Sequence, residues 1–227
     1  MRGAGVEILV GPKLLFAVKN QDDRTWCLSK TWLSHHSLYF KRACDGYLRK
    51  TNRVMIDTDP DIFGLFVEFM IRGGYTYRDN LKVYEGIREH VKAWILGNYL
   101  EAATFQNLAM RNLHNIYKPR NYNLPMSGIG PEAIEFILEA CETDSPLYNF
   151  HLDVAATYWS NNDVVLNGGE WTKAWNEIFK KYPSFQSELL TRLSQSGTKI
   201  AEVEKYLVKE PVTEDAVPNS PPPAYQQ

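Results

Sequence analysis

Apolar positions along this chain recur with two periods. Residues 6–10 and 14–19 are short β-type runs joined through Gly11-Pro12, a polar turn at 21–24 precedes a third run at 25–28, and Arg53–Ile56 alternates polar and apolar residues. A small sheet is the expectation. The stretch from 29 to 74 then reads as one continuous unit. Ser29 caps a short helix, Ser37 caps a second carrying Phe40, Ala43 and Cys44, and Asp59-Pro60 opens a longer one. In that third helix Ile62, Phe63, Phe66, Val67, Phe69 and Met70 lie at three- and four-residue spacings until Gly73-Gly74 end it. Each large side chain buried there contributes roughly 1.5–3 kcal/mol, so this helix can anchor a core.

Helical spacing continues at 80–98, through Val83, Ile87, Val91, Trp94 and Ile95, and at 104–117, through Phe105, Leu108, Ala109, Leu113 and Ile116. Residues 118–130 are rich in Pro, Asn and Gly and read as a linker. Beyond them helices are expected over 131–141, 145–159, 171–182, 185–193 and 200–207. The last stretch, with Pro211, Pro218, Pro221, Pro222 and Pro223 among acids and small polar residues, is expected to be disordered. The division is therefore 1–118, a linker at 119–130, a helical extension at 131–208 and a Pro-rich tail at 209–227. The fold class is α+β, a helical cluster with a small mixed sheet followed by an all-helical extension.

Composition narrows the function. The chain has 227 residues, 44% of them hydrophobic, which is enough for one sizeable core or two small ones, and a net charge of −2 argues against a phosphate-binding surface. Nucleic acid is not an expected partner. Cys27, Cys44 and Cys141 are few and widely spaced, which suits a reducing compartment and small buried residues. The apolar runs near the N-terminus are too short for a signal-peptide core of roughly 7–15 residues or a span of roughly 20. A cytoplasmic or nuclear protein without membrane association is expected.

No catalytic motif stands out: there is no glycine-rich phosphate loop, no Gly-x-Ser-x-Gly and no His-Glu-x-x-His. Asp57, Asp59 and Asp61 alternate as in calcium loops, but Pro60 and the apolar helix from Ile62 make them a helix start. His90 and His114 read as partly exposed helix residues, and His35-His36 point about 100° apart and form no chelating face. Trp159, Trp171 and Trp175 suggest an aromatic cage, against which stands the simpler reading as helix core. The expectation is a non-enzymatic protein with no cofactor and no metal. An enzyme with a dispersed site and a purely structural scaffold remain the alternatives.

Ser37-Leu38-Tyr39-Phe40, the short strand after it, Asp59-Pro60-Asp61-Ile62-Phe63 and residues 66–75 together resemble the BTB/POZ domain. Leu96-Gly97-Asn98-Tyr99-Leu100 and residues 105–110 are similar to that family's penultimate and last helices, with Gly97 where alanine is more usual. Residues 145–147 and 182–185 resemble the helical extension of its fungal members. Serine at position 29, in place of the family's histidine, is a departure. The resemblance implies protein–protein interaction: self-association as a homodimer through residues 29–40, and recruitment of other proteins. The first strand begins by Val6, which leaves no room for the N-terminal strand and helix that dimeric members commonly add. The resemblance also implies a cullin contact at Leu48-Arg49-Lys50, where the family's docking triplet ends in glutamate. The lysine reverses that charge, so weak or absent cullin binding is expected, strengthened by Lys50→Glu. Separately, Pro222-Pro223-Ala224-Tyr225 matches the Pro-Pro-x-Tyr ligand of WW domains, a route to a ubiquitin ligase with the protein as adaptor or substrate.

Overall fold

Strand β1 (Gly5–Val10) lies at the centre of a three-stranded sheet, antiparallel to β2 (Arg24–Ser29) and parallel to β3 (Arg53–Ile56). This computed structural model describes residues 5–11, 24–76, 83–118, 128–195, 197 and 199–210, with side chains in the third of these segments described from residue 89. The run at 14–19 lies outside them. Alternation sets which face is buried: Val6, Ile8 and Val10 point inward, and the register places Trp26 and Val54 beside Ile8. Cys27 faces outward opposite Glu7 and is exposed, while Cys44 and Cys141 are half-buried. The expectation of three buried cysteines is corrected there, because the strand's alternation decides the face whatever the residue type.

Ten helices are described. The first six are α1 (Lys30–His36), α2 (Leu38–Asp45), α3 (Leu48–Thr51), α4 (Pro60–Arg72), α5 (Val83–Tyr99) and α6 (Ala103–Tyr117). The other four are α7 (Pro131–Ala140), α8 (Pro146–Tyr158), α9 (Trp171–Lys181) and α10 (Pro183–Ser194). With the sheet, they make an α+β protein. None of the described helices is long and apolar enough to cross a membrane.

Local chemistry starts and stops these elements. Asp59 accepts the Asp61 amide at 2.9 Å, Pro60 supplies the first helical residue, and Gly73 ends α4 at φ 73°, returning its amide to the Phe69 carbonyl. Ser37 does two jobs: its Oγ accepts the Phe40 amide at 3.1 Å and donates to the Leu100 carbonyl at 2.6 Å. The amides of Leu38 and Tyr39 add bonds to Glu101 and Leu100. Thus the N-terminus of α2 is tied to the α5–α6 turn. Ser29 stands at the start of α1 but its side chain makes no cap bond.

Phe105 of α6 gathers the aromatic core, with Phe66, Phe69 and Tyr75 at ring-centroid distances of 5.2, 5.3 and 5.7 Å. The far end of α6 belongs to the second half: the Tyr117 ring meets Phe150 at 5.9 Å, and Tyr158 donates to the Tyr117 carbonyl. Buried residues of both halves therefore form one continuous core. The sequence divides the chain at 119–130, yet residues 128–130 are buried. Ile129 pairs with the loop after α8, its amide on the Val164 carbonyl and its carbonyl accepting the Leu166 amide. The helix expected over 200–207 is also corrected. Only Val203–Tyr206 turns, as a 3-10 helix, and its flanks are extended because side chains of α6 take up their backbone groups.

Gly97 faces Gln106 so closely that a Cβ there would lie 2.9 Å from the Gln106 Cβ and 3.0 Å from its Cα. Alanine normally gains about 1 kcal/mol over glycine in a helix, but forcing two backbones apart costs about 1–3 kcal/mol. Gly97→Ala is expected to destabilise the protein in urea unfolding. Ser37→Ala should lose about 1–3 kcal/mol, since it removes a cap and leaves the buried Leu100 carbonyl short of a donor.

Candidate interaction surfaces

Three surfaces and one internal network carry the chemistry of the described residues. At the first helical corner, Leu33 is buried while its neighbour Trp32, about 100° round α1, is 45% exposed. His35 is exposed and His36 half-buried, its ring 5.6 Å from Phe69; burial and then the neighbouring His35 lower its pKa. The corner thus presents one large aromatic surrounded by polar groups.

A second face lies where α2 meets the end of α5. Tyr99 is 50% exposed and Tyr47, in the turn before α3, 49%. Tyr39 sits between them: its ring is 5.4 Å from that of Tyr99 at 36°, and its hydroxyl is hydrogen-bonded with those of Tyr47 and Tyr99. Burial is the main cause of the raised Tyr39 pKa, helped by Tyr47 and opposed by Tyr99. The three phenols offer flat, amphipathic rings. Beside them Arg42 forms a bidentate pair with Glu101, whose carboxylate is held below its usual range by that bond. In the sequence Tyr39 and Tyr99 stand out only within the family resemblance, and Tyr47 does not stand out at all. The signal for Tyr47 is its place next to the helix-ending Gly46, with no apolar period to claim it.

The triplet Leu48-Arg49-Lys50 divides. Leu48 is fully buried and its carbonyl accepts Lys30 Nζ at 2.6 Å, whereas Arg49 and Lys50 are exposed. Leu48 is a core residue and offers no apolar contact to a partner. Pro222, Pro223 and Tyr225 lie outside the described residues.

In the second half, Trp159, Trp175 and Phe179 pack ring against ring, at 5.0 Å for the two indoles and 5.6 Å from Trp175 to Phe179. Trp175 Nε1 donates to the Leu166 carbonyl at 2.7 Å. These rings fill the space between α8 and α9 rather than framing a ligand. Between α7 and α9 lies an open groove, whose flanking Lys181 binds both Glu135 and Glu139 at 2.8 and 2.7 Å. Such exposed pairs add little to stability.

The internal network is the least anticipated feature. Asp153, buried in α8, accepts from Arg192 of α10, from Tyr206 at 2.5 Å and from Lys205 at 3.2 Å. Asn149 joins through its Oδ1, which accepts from Arg192 at 2.9 Å. On α6, Asn107 bonds the Val208 peptide in both directions, at 3.0 and 2.8 Å, and also reaches Glu210. His114 Nε2–H donates to the Ala201 carbonyl at 2.9 Å. His90 and His114 are both buried, which corrects the expectation of partial exposure: Tyr75 donates to His90 Nδ1 at 2.8 Å, and the stretch at Ala201 lies against His114. Asn149, His151 and Asp153 stand two apart in an otherwise apolar helix, a pattern that marks a helix buried on every side. Among the described residues no group of acidic, His and Cys side chains could hold a metal ion. Asp59 is instead engaged with Lys92, and Asp61 with Arg24.

Comparison with models of known families finds none that matches this chain, and comparison with curated proteins finds no relative.

Burial pushes the pKa of both His90 and His151 down to about 4. His151 donates from Nδ1 to the Leu147 carbonyl, and its buried Nε2 has no partner. Both rings are neutral when folded and take up protons on unfolding below pH 6.5. Their contribution is thus complete above about pH 6.5 and lost as pH falls toward 4, by up to roughly 3 kcal/mol per ring. Urea titrations across pH 7 to 4 should show this slope, and His151→Phe should flatten part of it; an unchanged slope would remove the assignment. Asp153→Ala removes the buried acceptor shared by Arg192, Lys205 and Tyr206 and is expected to cost about 3–5 kcal/mol by the same measurement.

Proposed function

We propose that this chain is a non-enzymatic protein–protein interaction module of the BTB/POZ type, which self-associates and recruits other proteins. The observation that carries this reading is the docking of Ser37-Leu38-Tyr39-Phe40 onto residues 96–102, through Ser37 Oγ and the Leu38 and Tyr39 amides. Those two stretches, some sixty residues apart in sequence, bear the resemblance independently and meet in space. The surface is consistent with binding by complementarity: Trp32, Tyr47 and Tyr99 offer large aromatic groups of the kind that anchor interfaces. A homodimer would use the α1 corner around Trp32, burying the same residue from both copies.

The cullin site is doubly weakened under this reading. Lys50 inverts the expected charge and Leu48 is buried. Recruitment to ubiquitin ligases would run instead through Pro222, Pro223 and Tyr225, read by a WW domain.

Light scattering at high micromolar concentration should give a dimer mass, reduced toward the monomer by Trp32→Ala; a clean monomer throughout would sink the self-association. In pull-downs a cullin should not be retained by the unmodified chain. Lys50→Glu should add little, because it restores the charge without the apolar contact. A peptide of residues 220–227 should bind WW domains more tightly than about millimolar, and Tyr225→Ala should abolish that binding.

A further inference from the structure

The course of residues 199–210 has a direction. Glu202 pairs with Lys118, Ala201 with His114, Glu204 with Arg111, and Val208 and Glu210 with Asn107. The chain therefore runs antiparallel along α6, from its C-terminal end toward its N-terminus. Asn107 stands four residues inside that helix, about 6 Å along its axis from Ala103. Immediately beyond are Glu101, Leu100 and Tyr99. At Glu210 the chain is thus heading toward the end of α6 next to which Tyr99 lies.

The chain beyond Glu210 suits that face chemically. Residues 211–227 carry Glu214 and Asp215 and no lysine or arginine, then Pro221, Pro222 and Pro223. Close in sequence to Tyr39 and Tyr47 stand the exposed Lys41, Arg42, Arg49 and Lys50, and residues 38–51 carry one acidic residue, Asp45, while Glu101 pairs with Arg42. Clustered tyrosine rings, here with Tyr47 and Tyr99 exposed, are the kind of surface on which polyproline II segments dock, because the stiff segment loses little entropy and each proline ring lies flat on an aromatic one. From Glu210 to Pro221 the chain spans up to roughly 36 Å, and Glu214 and Asp215 come within the first roughly 17 Å.

We propose that the Tyr39–Tyr47–Tyr99 face is the docking site of the chain's own proline-rich tail, with Glu214 and Asp215 against those lysines and arginines and Pro221, Pro222 and Pro223 on the tyrosine rings. The site is intramolecular, and it does not depend on the BTB or WW readings. A short tether supplies an effective concentration on the order of millimolar, so even a weak intrinsic affinity keeps the site filled.

The test is a titration of a fluorescent peptide of residues 211–227 against two full-length chains. One is unmodified; the other carries Pro221→Ser, Pro222→Ser and Pro223→Ser. The peptide should bind the proline variant at least about tenfold more tightly, because its own tail no longer competes. In that variant, Tyr99→Ala should weaken the peptide at least about tenfold, and so should Tyr47→Ser, a turn substitution that spares the helices. Equal affinity for the two chains, no binding to the proline variant, or indifference to both tyrosine substitutions would overturn the proposal. Light scattering of the same samples separates the sources of the tail. An equal mass for the two chains accords with docking within one molecule, and a mass that halves in the proline variant shows the tail bridging copies, which also overturns it.

Discussion

The close approach of α5 to α6 is the constraint on which the rest of the structure depends. Gly97 lets the helix backbones meet at Gln106, and that contact fixes the turn between them, where Leu100 and Glu101 receive the start of α2. From the same placement Phe105 reaches Phe66, Phe69 and Tyr75, so the sheet-side core and the helical cluster are set by one helix pair. Steric exclusion rather than attraction does the specifying: the space beside Gly97 admits hydrogen and nothing larger.

Helix α6 is then shared. Its first turns bury apolar rings against α4, and its last turns meet Phe150 and Tyr158 of α8. Between them Asn107 and His114 face a strip that only an extended chain covers. A helix there could not offer Asn107 a peptide N–H and C=O at once, because its own ladder would already use them. The extended course of 199–210 therefore follows from the polar residues beneath it. At Asp153, one carboxylate gathers an arginine, a lysine and a phenol from two further elements, which makes its burial tolerable.

Much of the fold was legible because periodicity and caps act locally. Asp59-Pro60 and Gly73 bound α4 where the pattern placed it, and Ser37 caps α2 as expected. Residues 200–207 misled for the same reason: apolar spacing implied a helix, while the deciding bonds come from Asn107 and His114, about ninety to a hundred positions away. His90 and His114 were misjudged because burial of a helix flank depends on what later sequence lays across it. Trp32 lies within the stretch through which the resemblance implies self-association, but its exposure was not legible in the pattern. Nor was the tyrosine face, since Tyr39, Tyr47 and Tyr99 come from three elements whose meeting depends on the α5–α6 turn.

The antiparallel run of 199–210 along α6 also orders events during synthesis. Helix α6 leaves the ribosome about ninety residues before the strip that satisfies its Asn107 and His114, and α8 about fifty before the phenol and ammonium that complete Asp153. Until then those groups must stay hydrated, so the helical half cannot close around them as a dry core. A nascent chain stalled short of residue 208 would hold a packed sheet-side half beside an open helical one, and closure of the helical half would wait until residues 199–210 emerge.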